Sequence, residues 1–147
     1  MEGWLIDLPL VLILIYATYT DLKKRVIPNR LVLVGLGYML LARLFIADQG
    51  YGYYVLGTVA ASSLMYLAAL FIPGSIGGGD IKLLTVVGAA MGWWKSLVFL
   101  WLLLGLAGVF AVIGMLIWRS GKLKIPIAPF FLAANILIFM YPIKLWI

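Results

Sequence analysis

Five acidic side chains are available for proton chemistry in this chain of 147 residues: Glu2, Asp7, Asp21, Asp48 and Asp80. Two of them stand in contexts that suit chemistry. Asp21 opens the run Asp21-Leu-Lys-Lys-Arg-Val-Ile-Pro28-Asn29, and Asp80 closes the glycine run Gly77-Gly78-Gly79 ahead of Ile81 and Lys82. A pair of carboxylates hydrolyses an amide with neither a metal nor a nucleophilic side chain. One, ionised, takes a proton from water; the other, protonated, donates to the carbonyl oxygen or the leaving nitrogen. Close carboxylates cannot both ionise cheaply, so such a pair shares one proton and titrates as a unit. Each residue also has a plainer reading. Asp21 among basic neighbours suits a solvated loop acid, and Asp80 behind glycines suits a helix N-cap.

Composition removes most other chemistries. The chain has no cysteine, so disulfides, thiolate catalysis and Cys-based zinc sites are excluded. It has no histidine, which removes Ser-His and Cys-His catalysis and every His-ligated metal site. No metal and no cofactor is expected. Neither a Walker Lys-Ser/Thr nor dinucleotide spacing follows Gly77–Gly79, so the run does not read as a phosphate cradle. It is expected to permit close backbone approach by an extended substrate segment.

The elements that must position the two acids are membrane helices. Hydrophobic residues make up 66% of the chain and charged ones 11%, with mean hydropathy +1.17. A soluble domain of this size has no use for so much apolar surface. The fold class expected is an all-α polytopic membrane protein, residues 1–147 forming one domain of six transmembrane helices. Met1-Glu2-Gly3-Trp4 lacks the basic start of a signal peptide, so the first apolar segment is expected as a retained helix.

The spans predicted are Trp4 to Thr20, Leu31 to Ala47, Tyr53 to Ile72, Asp80 or Ile81 to Trp93-Trp94, Leu97 to Trp118, and Pro126 to Tyr141. Pro28 and Asn29 break the chain and start the second helix. Asp48 to Gly52 is a turn, Pro73-Gly74 begins the glycine loop, Lys95-Ser96 separates the fourth and fifth helices, and Arg119 to Lys124 is a basic loop. Trp93-Trp94 suits a membrane interface.

The net charge of +6 reads as an orientation signal, and no nucleic-acid partner is expected. Lys23, Lys24, Arg25, Arg30, Lys82, Arg119, Lys122 and Lys124 fall on one side, against Arg43, Lys95 and Lys144 on the other. That bias places the first set, with Asp21 and Asp80, in the cytoplasm and both termini outside. An unbroken helix from Asp80 to Trp94 would span about 21 Å against a hydrocarbon core of about 30 Å. Asp80 is therefore expected a little below the inner interface, facing a wet recess or protonated. Lys82 either serves the inside-positive bias or tunes Asp80. Asn135 reads as an interhelical hydrogen-bond partner, and Gly88 to Gly92 as a site of close helix packing. Glu2, Asp7 and Asp48 read as terminal or outer-side polar groups, with Asp7 the least explained.

At these residues the chain resembles the type IV prepilin peptidase family, which shares the Gly-x-Gly-Asp signature with presenilin-like proteases. Asp21 with Ile27, Pro28 and Asn29 resembles the family's first catalytic aspartate and its Ile-Pro-Asn segment. Gly77-Gly78-Gly79-Asp80-Ile81-Lys82 resembles its Gly-x-Gly-Asp-x-Lys motif, with Asp80 the second catalytic aspartate. Lys124-Ile125-Pro126-Ile127-Ala128-Pro129 is similar to its late Lys-x-Pro-x-Gly/Ala-Pro element.

The resemblance implies catalytic Asp21 and Asp80, with Gly77, Gly78, Gly79, Lys82, Pro28, Asn29, Lys124 and Pro126 binding substrate or supporting the site. It implies removal of the basic leader from type IV prepilins, pseudopilins or tight-adherence pilins, typically after a glycine, at the cytoplasmic face of a prokaryotic inner membrane. Longer bacterial members carry an N-terminal region, often with Cys-x-x-Cys pairs, and methylate the new N-terminus. That region is not matched here, so the expectation is a peptidase without methyl transfer. Archaeal preflagellin peptidases are a neighbouring possibility. Two rivals from other classes are a small transporter relaying protons through its carboxylates, and a non-catalytic pilus or secretion assembly subunit.

Overall fold

The computed structural model describes residues 4–46, 48–71, 76–118 and 127–140. These residues form six α-helices: α1 Trp4–Lys24, α2 Asn29–Phe45, α3 Tyr51–Phe71, α4 Gly78–Met91, α5 Trp93–Trp118 and α6 Ala128–Met140. Glu2, Pro73, Gly74, Arg119, Lys122, Lys124, Pro126 and Lys144 lie outside the described residues. Three helices, α1, α3 and α5, are long and apolar enough to cross a membrane. Large apolar side chains such as Leu33, Leu56, Phe71, Trp101 and Leu116 stand exposed on the outside of the bundle. In water such a surface would aggregate; against lipid it is the expected exterior.

The centre of the bundle is α4, which packs against α1, α2, α3 and α5. Apolar or small side chains cover most of its circumference, and Leu83, Leu84, Val86, Val87, Ala89 and Ala90 are all buried. A helix apolar on every side belongs inside a bundle. Its closest neighbour is α3, and glycines set that distance. A Cβ on Gly88 would strike the Gly57 carbonyl, and a Cβ on Gly57 would strike the Gly88 carbonyl. The Gly88–Gly92 stretch therefore works as the close-packing surface its composition predicts, with Gly57 as the partner that composition does not name.

Five helix boundaries differ clearly from the sequence expectation, most of them for a local reason. Helix α1 runs on past Thr20 to Lys24, where Lys23 and Lys24 face the negative end of the helix dipole. Arg25 then closes it with φ 52°, its amide donating to the Asp21 carbonyl at 2.8 Å. This is a left-handed C-cap on a residue other than glycine. Helix α2 starts at Asn29 with Pro28 as the extended residue before it. Helix α4 begins at Gly78 and stops at Met91, because Gly92 turns the chain at φ 80° with its Cα against the Tyr53 ring. Trp93 and Trp94 consequently open α5 instead of closing α4, and Lys95 and Ser96 lie inside α5.

Polar groups inside the bundle are answered locally. Pro9 sits within α1 and has no amide to give the Leu5 carbonyl one turn back. The Tyr38 hydroxyl of α2 donates to that carbonyl at 3.0 Å. Arg43 reaches from α2 to the C-terminal turn of α4, donating through Nε to the Ala90 carbonyl at 3.1 Å and lying 4.1 Å from the centre of the Tyr54 ring. A cation at a helix C-terminus meets its negative dipole end, and the ring face adds a cation–π contact.

Candidate active site

One end of the bundle gathers the last turn of α1, the start of α2, the start of α4 and the start of α6. Most of the contacts that hold these ends together involve a residue singled out by sequence. Asp21 lies in the last turn of α1 and is buried, so it is not the solvated loop acid its basic neighbours suggested. Those neighbours, Lys23, Lys24 and Arg25, point outward and are exposed. Asp21 Oδ2 accepts a hydrogen bond from the Ala128 amide at 3.2 Å. Ala128 is the first residue of α6, preceded by Ile127, whose side chain cannot cap, and followed by Pro129, which has no amide. Asp21 thus supplies from α1 the acceptor that the start of α6 lacks. Thr18, one turn earlier on α1, has its hydroxyl 2.8 Å from the Leu14 carbonyl and 3.2 Å from the Ala128 carbonyl, which fixes the same junction.

Asp80 is also buried, in the first turn of α4. It is not the N-cap: Gly77 holds that position with extended backbone and no side-chain cap. The Asp80 carboxylate instead leans back over Gly77, where a Cβ would lie 2.9 Å from Oδ2. A Cβ on Gly79 would lie 3.1 Å from Ile27 Cβ, on the segment that follows Asp21. Around Gly78 there is open space. The glycine run therefore serves two close approaches within the protein, one to Asp80 and one to Ile27.

Asp21 and Asp80 come together at this end. Helix α1 packs on α4, and both carboxylates are withdrawn from solvent. Lys82 does not point at the pair. It is exposed and donates to Asn29 Oδ1 at 3.0 Å, joining the start of α2 to α4. Pro28 and Asn29 therefore sit at the site's edge as parts of the brace, while Lys124 and Pro126 fall outside the described residues. Among the described residues there is no cluster of three or more side chains fit to hold a metal ion.

Sequence reasoning missed three groups here. The Ala128 amide had a signal: an alanine between prolines keeps the segment's spare donor. Tyr38 had one too, since Pro9 must orphan the carbonyl four residues before it. Thr18 had none. Asp7 and Asn135, left apart by sequence, line one apolar groove between α1 and α6 towards the opposite end, with Trp4, Leu8, Ile136 and Phe139.

The fold and site are those of an apolar helical bundle, three of its helices long and apolar enough to cross a membrane, with two buried carboxylates at one end. The chain belongs to the type IV leader peptidase family, whose model matches residues 8–143. It is 30% identical over 132 residues to the prepilin leader peptidase/N-methyltransferase of Bacillus subtilis, covering 88% of this chain and 52% of that protein. It is 34% identical over 132 residues to the protein of the same name from Aeromonas hydrophila, covering 85% of this chain and 45% of that one. The chain thus spans about half the length of these curated relatives. No solved structure matches it.

Proposed function

We propose that this chain is an intramembrane aspartyl endopeptidase that removes the leader from type IV prepilins or prepilin-like subunits. The observation that carries the reading is the placement of Asp21 and Asp80, two buried carboxylates from different helices, at one end of the bundle. Family membership and the names of the relatives from B. subtilis and A. hydrophila support prepilins as the substrate class. The exposed cluster Lys23, Lys24, Arg25, Arg30 and Lys82 at the same end supports a cytoplasmic position for it, with all six helices spanning a prokaryotic inner membrane, both termini outside and residues 1–147 acting as one domain.

In this reaction the ionised aspartate takes a proton from water as the water oxygen bonds to the scissile carbonyl carbon. The protonated aspartate gives its proton to the carbonyl oxygen. The tetrahedral intermediate then collapses: the C–N bond breaks, the leaving nitrogen receives a proton from the first aspartate, and the second recovers its own. The apolar stem of the prepilin lies along the lipid-facing helices, and its leader junction unwinds at the helix ends where both acids are reachable. Lys82, Asn29 and Pro28 hold the α2–α4 edge of that opening, Gly77 and Gly79 let Asp80 and Ile27 seat, and Lys124 and Pro126 precede the α6 start on which Asp21 rests.

The test is cleavage of a prepilin with a basic leader by reconstituted protein. Asp21→Asn and Asp80→Asn are each expected to lower the rate by at least about 100-fold, the usual scale of a general acid or base, while inserting normally. An Asp80→Asn protein that cleaves at the wild-type rate ends the proposal. So does proton-coupled solute flux by wild type without cleavage, which belongs to a transporter.

A further inference from the structure

The two aspartates are chemically alike, but their surroundings are not, and the difference lies in α6. Asp21 Oδ2 takes the Ala128 amide, the first donor of a helix of 13 residues, in a buried contact at 3.2 Å. Pro129 removes the next amide, and the Phe130 amide is engaged by the Ile127 carbonyl at 2.9 Å. The Ala128 amide is thus aimed at one carboxylate oxygen and at no carbonyl. We propose that this amide sets the division of labour in the pair: it keeps the negative charge on Asp21, which acts as the base towards water, and leaves the shared proton on Asp80. Ala128 is in this sense a positioning residue that acts through Asp21. The inference rests on the peptidase reading and goes beyond it, since that reading is silent on which acid is the base.

Among the described residues, other charges near Asp21 do not make this choice. On α1, Lys23, Lys24 and Arg25 are exposed and Thr20 donates to the Ala17 carbonyl at 3.0 Å. On α2, Arg30 is exposed; on α4, the charged groups are Asp80 itself and Lys82, which is turned to Asn29. The described part of α6 has no titratable side chain, and Lys124 lies outside the described residues. Two fields work against the assignment. Asp21 sits at the negative end of its own helix, and Asp80 sits in the positive first turn of α4 with the Gly77 amide as a backbone hydrogen-bond partner of its own. A direct hydrogen bond to a charged group outweighs the field of a helix end roughly threefold, so the amide on each aspartate counts for more than its helix end, and on Asp21 alone the amide comes from a second helix, whose positive end adds to it.

The decisive experiment removes that one hydrogen. Replacing Ala128 by L-lactic acid, by suppression in cell-free translation into liposomes, exchanges the amide N–H for an ester oxygen and leaves every side chain in place. Ala128→Pro is the second variant, since proline suits the first position of a helix and also lacks the donor. The pH–rate profile of prepilin cleavage is then measured. A pair active with one shared proton gives a bell. If the single charge rests on Asp21, losing the amide makes that charge harder to form, and the acid limb moves to higher pH by about one unit. The alkaline limb stays, because Asp21 is charged on both sides of that step.

If the charge rests on Asp80, the acid limb stays and the alkaline limb moves up instead. That outcome overturns the assignment, as does a lower rate with both limbs in place, the mark of a merely structural contact. The Asp→Asn pair measured alongside separates the two questions. Activity lost in both with limbs unmoved in the ester refutes the role of Ala128 alone. Activity kept in either refutes the peptidase pair itself.

Discussion

Among single residues, the glycines before Asp80 give the sharpest contrast. Three consecutive glycines look equivalent in sequence, yet only two are constrained by space. A Cβ at Gly77 would press on the Asp80 carboxylate at 2.9 Å, and one at Gly79 on Ile27 at 3.1 Å, while one at Gly78 meets nothing within 4 Å. Gly77→Ala displaces an Asp80 carboxylate oxygen by a few tenths of an ångström and Gly79→Ala pushes apart the two segments that carry the acids. Misplacement on the scale of 1 Å costs about 100-fold in rate, so both are expected to lose about tenfold or more in prepilin cleavage. Gly78→Ala is expected within about twofold of wild type, since alanine is a better helix residue than glycine. Equal damage at all three positions would show that the run answers to something other than these two contacts. The same scale separates Lys82 from the chemistry. Its charge was expected either to orient the protein or to tune Asp80, and its observed partner is Asn29 at 3.0 Å.

At the scale of the element, the helices are shaped by what their backbones lack. Pro9 deprives the Leu5 carbonyl of its partner, and in lipid no water replaces it. The Tyr38 hydroxyl fills the gap at 3.0 Å and in doing so ties α2 to α1 near the end opposite the acids. Tyr38→Phe is expected to lower unfolding stability in detergent–lipid micelles by about 1 kcal/mol, within the range of interhelical hydrogen bonds in membranes. In a Pro9→Ala background the α1 ladder closes on itself, and the same Tyr38→Phe change is expected to cost close to nothing. A double-mutant cycle without coupling would refute the compensation. Helix ends follow the same logic. Gly92, at φ 80°, ends α4 after 14 residues and moves the tryptophan pair onto α5, because the left-handed turn against Tyr53 leaves no room for a side chain.

The whole molecule is organised around α4, the short buried helix, with the exposed cluster Lys23, Lys24, Arg25, Arg30 and Lys82 and both Asp21 and Asp80 at one end of the bundle. Topology is open to a clean test because the chain contains no cysteine. Lys24→Cys, at the acid end, is expected to resist a membrane-impermeant maleimide in intact cells and to react once the membrane is opened. Gln49→Cys, in the turn between α2 and α3, is expected to react from outside. The reverse pattern would place the acids outside the cell and remove the cytoplasmic reading of the site.

What sequence alone determines here is what chain-local physics controls. Unrelieved hydropathy demands lipid, basic residues cluster beside two of five acids, and glycine and proline mark where helices break. Asp21 and Asp80 were legible as a pair for that reason, and so were six helices. Tertiary structure alone decided how the acids are held. The amide on Asp21 comes from a residue 107 positions away, and the brace on α4 from Asn29, 53 positions from Lys82. Gly57 meets Gly88 only because the two backbones touch. Such pairings depend on which helix faces meet across the bundle, and lipid, being as apolar as the side chains, gives hydropathy no means of choosing among them.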